Sequence, residues 1–293
     1  MKLARLYDTF IQYGIDKDPR RQKSCVRGYS DTAILFGNPE TEIRSILAGI
    51  DMEVSEILLA DRLRQGQAID LLLAHHPQGK AFAALYEVMQ LQVDILVKMG
   101  ISDKVAAELL EERKREVERK IMPANHTRAV DAARLLNFPF MCVHTPADNH
   151  AYAYIHSLLK KQKPKKVKDI LDILIEIPEY NQARQNSAGP RIILGNPNRP
   201  VGKIFVEMTG GTEGPIDVYD KLYKSGIRTL VSMHLSEQHL SKVKDAQLNV
   251  VIAGHISSDT LGLNLLLDRI DKEEKISILS CSGFTRISRN DQI

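Results

Sequence analysis

The strongest constraint on this chain is an alternation. Short apolar runs are separated by stretches of helical periodicity, and four of the runs end directly on histidine. IRSILAGI (43–50) reads as a strand, EVSEILLADRLRQ (53–65) as a helix closed by Gly66, and IDLLLA (69–74) as a buried parallel strand that exits into HHPQG. Asp51 is placed to cap the helix between them. TRAVDAARLL (127–136) leads into FPFMCV (138–143) and then HTPADN, where Pro146 favours a loop. Beyond residue 203 the pattern repeats. KIFVEMTGG, IRTLVSM and LNVVIAG are strands, PIDVYDKLYKSG, SEQHLSKVKDAQ and SSDTLGLNLLLDRI are helices, and KISILS closes the series. Two strands joined by a helix pair in parallel through a right-handed crossover. The expected class is α/β, built as two αβα lobes with mostly parallel sheets.

A chain of 293 residues suits two such lobes. Residues 1–159 form the first and 201–293 the second. Residues 160–200 connect them, a stretch that holds the basic run KKQKPKKVKD and the turn-rich segments NSAGP and GNPNRPVG. One segment falls outside the alternation. AFAALYEVMQLQVDILVKM (81–99) and VAAELLEERKREVERKI (105–121), broken at Gly100 and capped at Ser102, predict a helical hairpin inserted into the first lobe and laid on its body.

Composition narrows the chemistry. With 40 Lys and Arg against 37 Asp and Glu, the net charge of +3 gives no support for phosphate-driven nucleic-acid binding. The three cysteines (Cys25, Cys142 and Cys281) are widely spaced and form no CxxC, which excludes a disulfide scaffold and a thiolate zinc site. The N-terminal residues lack a signal-type apolar core, and no apolar stretch approaches the ~20 residues needed to span a bilayer, so a cytoplasmic protein without a membrane partner is expected. Neither GxxxxGK[ST], GxGxxG nor GxSxG occurs.

The nine histidines carry what remains. His75 and His76, His144, His234 and His255 all stand at strand exits, where open parallel sheets place their ligands. His144 and His255 are each followed four residues later by a carboxylate, Asp148 and Asp259. Consecutive side chains diverge on a strand, so His75 and His76 would serve two centres. Four imidazoles and two carboxylates exceed what one catalytic zinc takes and suit two divalent transition ions (Zn, Mn, Fe or Co) sharing an acidified water. His126, His150 and His234 are the general acid–base candidates; His156 and His239 read as surface residues on helices.

Three motifs in order, ILAGID…IDLLLAHHPQG, CVHTPADN and VIAGHISSD, resemble the Nif-three-like family (Ngg-one-interacting factor three), often catalogued as GTP cyclohydrolase I type 2. The resemblance implies metal ligation by His75, His76, His144, Asp148, His255 and Asp259, a dinuclear centre between two α/β lobes, and a toroidal homohexamer. Two departures stand out: Asp259 replaces the family's usual Glu, and the hairpin lengthens the span between the first two motifs. The expected function is a metal-dependent hydrolase acting on a small molecule through a metal-bridging hydroxide, with a non-catalytic metal-binding or interaction scaffold as the alternative.

Overall fold

A computed structural model of the protein describes residues 1–290. The chain opens with α1 (Leu3–Lys17), β1 (Ala33–Phe36), β2 (Ser45–Gly49), α2 (Val54–Leu63) and β3 (Leu71–Ala74). Four helices follow: α3 (Gly79–Ala83), α4 (Leu85–Val88), α5 (Leu91–Lys98) and α6 (Asp103–Ile121). Next come α7 (Arg128–Leu135), β4 (Phe140–Cys142), α8 (Thr145–Gln162), α9 (Val167–Ile175), α10 (Pro178–Gln185), β5 (Arg191–Leu194) and β6 (Lys203–Glu207). The order ends with α11 (Tyr219–Lys224), β7 (Ile227–Ser232), α12 (Glu237–Asp245), β8 (Asn249–Ile252), α13 (His255–Glu273) and β9 (Ser277–Cys281).

These strands form two sheets, β1-β4-β3-β2-β9 and β5-β8-β7-β6. Both are parallel except for one antiparallel edge each, β1 on β4 and β5 on β8. The expected α/β class with two mostly parallel sheets is the observed one.

Helices α8 and α13 lie between the two sheets. Ala147 of α8 and Leu263, Leu266, Leu267 and Ile270 of α13 pack with the first sheet through Ile46, Leu71 and Met141. Ala151, Tyr152 and Ile155 of α8 and Leu261 of α13 pack with Val206, Val231 and Val251 of the second. A helix covered on both sides must be apolar around most of its circumference, and residues 257–264 are all buried. The two helices cross so closely at Gly262 that a methyl group there would lie 2.4 Å from the Ala147 carbonyl oxygen. Gly262→Ala is therefore expected to cost about 3 kcal/mol by overpacking, read as a lowered denaturation midpoint, and to move Asp148 and Asp259 apart.

The structure corrects several expectations. Residues 160–200 are more than a connection: they form α9, α10 and the edge strand β5 of the second sheet. The 201–293 boundary also fails, because β9 returns to the first sheet and pairs with β2. Strand partners are chosen by contacts across the sheet, which chain order does not reveal. The first arm of the predicted hairpin is broken into α3, α4 and α5. The insertion also reaches further than its own lobe, since Leu91, Ile95, Leu110 and Val117 pack with Tyr219, Leu222 and Leu230 of the second. Buried Gln92 donates from its amide to the carbonyls of Gly210 and Thr212, 2.8 Å each, and so ties the insertion to the loop after β6. Among the described residues, no helix is long and apolar enough to cross a membrane.

Candidate metal centre

The six ligand candidates come from three chain segments, and the fold gathers them at the carboxyl ends of strands from both sheets. His75 and His76 follow β3; their backbone amides donate to the carbonyls of Gly49 and Ile50, extending the β2–β3 ladder. His144 follows β4 as the residue before α8, and Asp148 is on that helix's first turn. The loop expected around Pro146 is instead helix. Proline is tolerated at the first turn because its missing N–H has no intrahelical acceptor there. His255 and Asp259 open α13, and the left-handed φ of +109° at Gly254 makes the bend from β8 into the helix.

The donor atoms converge. His75 Nε2 lies 3.4 Å from Asp148 Oδ1 and 3.5 Å from Asp259 Oδ1. Asp259 Oδ2 lies 3.3 Å from His76 Nε2 and 3.5 Å from His255 Nε2, and His144 Nε2 is 3.7 Å from Asp148 Oδ2. These contacts are longer than charge-assisted hydrogen bonds of about 2.7–2.9 Å. They match the separation of about 3.4 Å between two donors that each bind a tetrahedral ion at about 2.1 Å. Two compact groups result, His75/His76/Asp259 and His75/His144/Asp148, with all donor atoms of each within 4.8 Å of one another. His75 Nε2, Asp148 Oδ1 and Asp259 Oδ2 are buried without any hydrogen-bond partner. Buried polar atoms are rarely left open, and three of them within one histidine–carboxylate cluster are the pattern of a cation site.

The opposite ring nitrogens of three of the four imidazoles are committed. His75 Nδ1 donates to the Val143 carbonyl (3.1 Å), His76 Nδ1 to Asp51 (2.7 Å) and His144 Nδ1 to Asp31 (2.8 Å). Each bond places the proton on Nδ1 and aims the Nε2 lone pair at the centre, the usual arrangement behind metal-binding histidines. Asp31 also accepts from the Thr145 hydroxyl at 2.6 Å. Sequence reading assigned neither supporting carboxylate. Asp51 was expected to cap a helix, but Glu53 occupies that position in a capping box with Glu56. Asp31 precedes an unassigned edge strand, and no local pattern marks it. Asp31→Asn and Asp51→Asn are each expected to weaken metal affinity about 10–100-fold, measured by chelator competition, with the fold retained.

The electrostatics fit a missing positive charge. Burial alone would lower the His75 pKa, but the charges of Asp259 and Asp148 outweigh it and raise it to about 10. Burial also lowers His76, and Asp259 together with Asp51 outweighs it and raises it to about 9. Burial pushes Asp259 up, and the surrounding imidazoles pull it well below the usual carboxylate range.

The three acid–base candidates separate. His234 lines the cleft with its ring centroid 4.6 Å from that of His255, and its Nδ1 is 3.6 Å from Glu213 Oε1. Its pKa is raised by the nearby Glu213 carboxylate, against burial. His126 lines the same cleft; its Nε2 donates to the Ile121 carbonyl and its ring packs on the edge of Phe82. His150 lines a different cleft, and burial lowers its pKa to about 4. His156 is exposed and stacks on Tyr152. His239, expected at the surface, is buried, with Nε2 3.0 Å from the Gly214 carbonyl. The cleft before the centre measures about 640 Å³, and its wall includes Phe82 and Leu85 of the insertion together with Arg128 and Glu53.

Comparison with known proteins agrees with this architecture. No family model and no curated protein matches the sequence. Among solved structures, a NIF3 superfamily protein from Sphaerobacter thermophilus superposes with a TM-score of 0.81 at 24% identity, over 97% of this chain and 99% of that one. Reduced HcgD from Methanocaldococcus jannaschii gives 0.60 at 14% identity over 96% and 97%. A Bacillus cereus protein related to NIF3 gives 0.53 at 9% identity over 99% and 98%. Two sheets sandwiching α8 and α13 over nearly the whole chain give it the same fold as these NIF3 superfamily structures.

Proposed function

We propose that this protein is a member of the NIF3 superfamily that binds two divalent transition ions and acts as a metal-dependent hydrolase on a small molecule. The observation that carries the metal reading is the convergence of three buried, unpartnered donor atoms with imidazoles whose opposite nitrogens are tied back. The donor set divides naturally. His76, His255 and Asp259 Oδ2 would hold one ion, and His75, His144 and Asp148 the other, with Asp259 Oδ1 turned toward His75 as the bridge. Nitrogen and carboxylate donors favour Zn, Mn, Fe or Co.

When bound, such a pair supplies Lewis acidity and a water acidified toward neutral pH. The chain's residues do the rest. Asp31 and Asp51 fix the imidazoles that orient the site. Glu213 faces His234 Nδ1 and leaves Nε2 to exchange a proton with a substrate in the cleft. The cleft volume suits a single small molecule, with Phe82 and Leu85 offering an apolar face and Arg128, Glu53 and Gln78 polar contacts. The same reading includes a cytoplasmic protein assembled as a toroidal homohexamer, without nucleic-acid or membrane partners.

The test is turnover across nucleotides, including GTP, phosphoesters and amides with added Mn or Zn. Activity that needs the metal and disappears in His75→Ala/Asp148→Ala supports the hydrolase. Stoichiometric, exchangeable metal without turnover on any of them replaces it with a metal-binding scaffold.

A further inference from the structure

A second cleft of about 660 Å³ shares no lining residue with the metal cleft. It is built on the far halves of the two central helices. His150, Tyr154, Ser157 and Lys161 follow one another along one face of α8, and Leu265, Arg269 and Lys272 along one face of α13. The end of α1 contributes Lys17, and the C-terminal segment contributes Arg289 and Asn290.

Two independent features mark it as a site. The first is charge. Arg269 is committed to Asp16 at 2.6 Å and Arg289 to Glu179 at 2.7 Å, while the acid in the lining, Asp268, is committed to Arg286 at 2.7 Å. Lys17, Lys161 and Lys272 form no ion pair among the described residues, so the cleft keeps an excess of positive charge. The second is His150. Its Nδ1 lies 2.8 Å from the Pro146 carbonyl, which can only accept, so the proton sits on Nδ1. Nε2 is then a buried nitrogen with no partner, in a side chain that lines the cleft. A buried acceptor left open is unfavourable, and a donor group on a ligand would satisfy it. His150 and Lys161 are about 16 Å apart along the helix, a span that a ligand of nucleotide size and a flexible lysine cover together.

We propose that this cleft binds a phosphorylated small molecule of about nucleotide size, with its phosphoryl group between Lys161 and Lys272 and a hydroxyl or N–H group donating to His150 Nε2. The site is separate from the metal centre and does not depend on the hydrolase reading. Lysine ammonium groups suit a phosphoryl group as point charges, and the half-buried Tyr154 ring offers a flat surface to the body of the ligand.

Calorimetry on the full-length, metal-loaded protein tests this with adenosine 5′-monophosphate as the probe. Binding is expected, and Lys161→Glu/Lys272→Glu should weaken it at least tenfold while metal content stays unchanged. Both lysines are exposed, so the variant is expected to fold. His150→Phe, which keeps the ring and removes the acceptor, should weaken binding about fivefold. No binding of the probe overturns the proposal, as does equal affinity in the double-lysine variant. Binding lost in His76→Ala but kept in the lysine variant would place the probe at the metal centre and also overturn it.

Discussion

Asp259→Asn is expected to lose both metal ions, with affinity falling on the order of 1000-fold or more, beyond the 10–100-fold that follows loss of a supporting carboxylate. The reason is position. One oxygen of Asp259 faces His75 and the other faces His76 and His255, so this carboxylate spans the two ions of the proposed pair. It is almost fully buried, and Oδ2 has no other partner. Asparagine keeps the shape but removes the charge and turns one oxygen into a donor, which points an N–H at a cation. Elemental analysis and calorimetric titration of the variant measure the effect. Two ions per chain at unchanged affinity would remove Asp259 from the centre. Although one methylene shorter than the glutamate implied by the resemblance, it reaches three imidazoles because α13 is drawn against α8 at Gly262.

The second large effect concerns protons. At pH 7 the metal-free protein is expected to hold His75 and His76 protonated, because their pKa values stand at about 10 and about 9. Metal ligation needs both neutral, so binding at pH 7 should release about two protons, measured by titration in buffers of different ionisation enthalpy. The sign for stability follows. A raised histidine stabilises the fold below its unfolded value of 6.5 and loses that contribution as pH climbs to the folded value. Metal-free protein should therefore lose stability between about pH 6.5 and 10, on the order of 8 kcal/mol in total. Metal-loaded protein should lose little over that range, because the ions replace the protons. Coincident pH profiles of the two forms would contradict the assignment of these residues.

The strand-exit histidines were legible because each follows an apolar run whose length and flanking turns mark a buried strand, and a strand's exit is where this class of fold gathers ligands. The carboxylates four residues on were legible from their fixed spacing after each histidine, although only the stretch after His255 was read as the start of a helix. Asp31 and Asp51 were not. Each meets its histidine through space, 113 and 25 residues away in the chain; Asp31 has no pattern of its own, and Asp51 within ILAGID reads locally as a helix cap. The start of α8 was obscured by Pro146, whose effect depends on whether it falls in the first turn or later. His239 was misplaced because a helix shows its polar face in sequence only when the opposite side alone is covered, and here Tyr219 and the Gly214 carbonyl cover the histidine as well.

By itself the sequence determined the α/β class, the order of most strands and helices, and the six residues most suited to hold metal. Those are properties of local periodicity and residue chemistry, carried by neighbours in the chain. Only the tertiary structure decided that β9 crosses back to the first sheet, that the insertion packs on the second, and that α8 and α13 serve both. It also decided that Nε2 of three histidines points inward, since Val143, Asp31 and Asp51 hold the other nitrogen from distant parts of the chain. Packing between surfaces and hydrogen bonds through space join residues that no local pattern links, and these contacts turn a set of metal-binding residue types into a site.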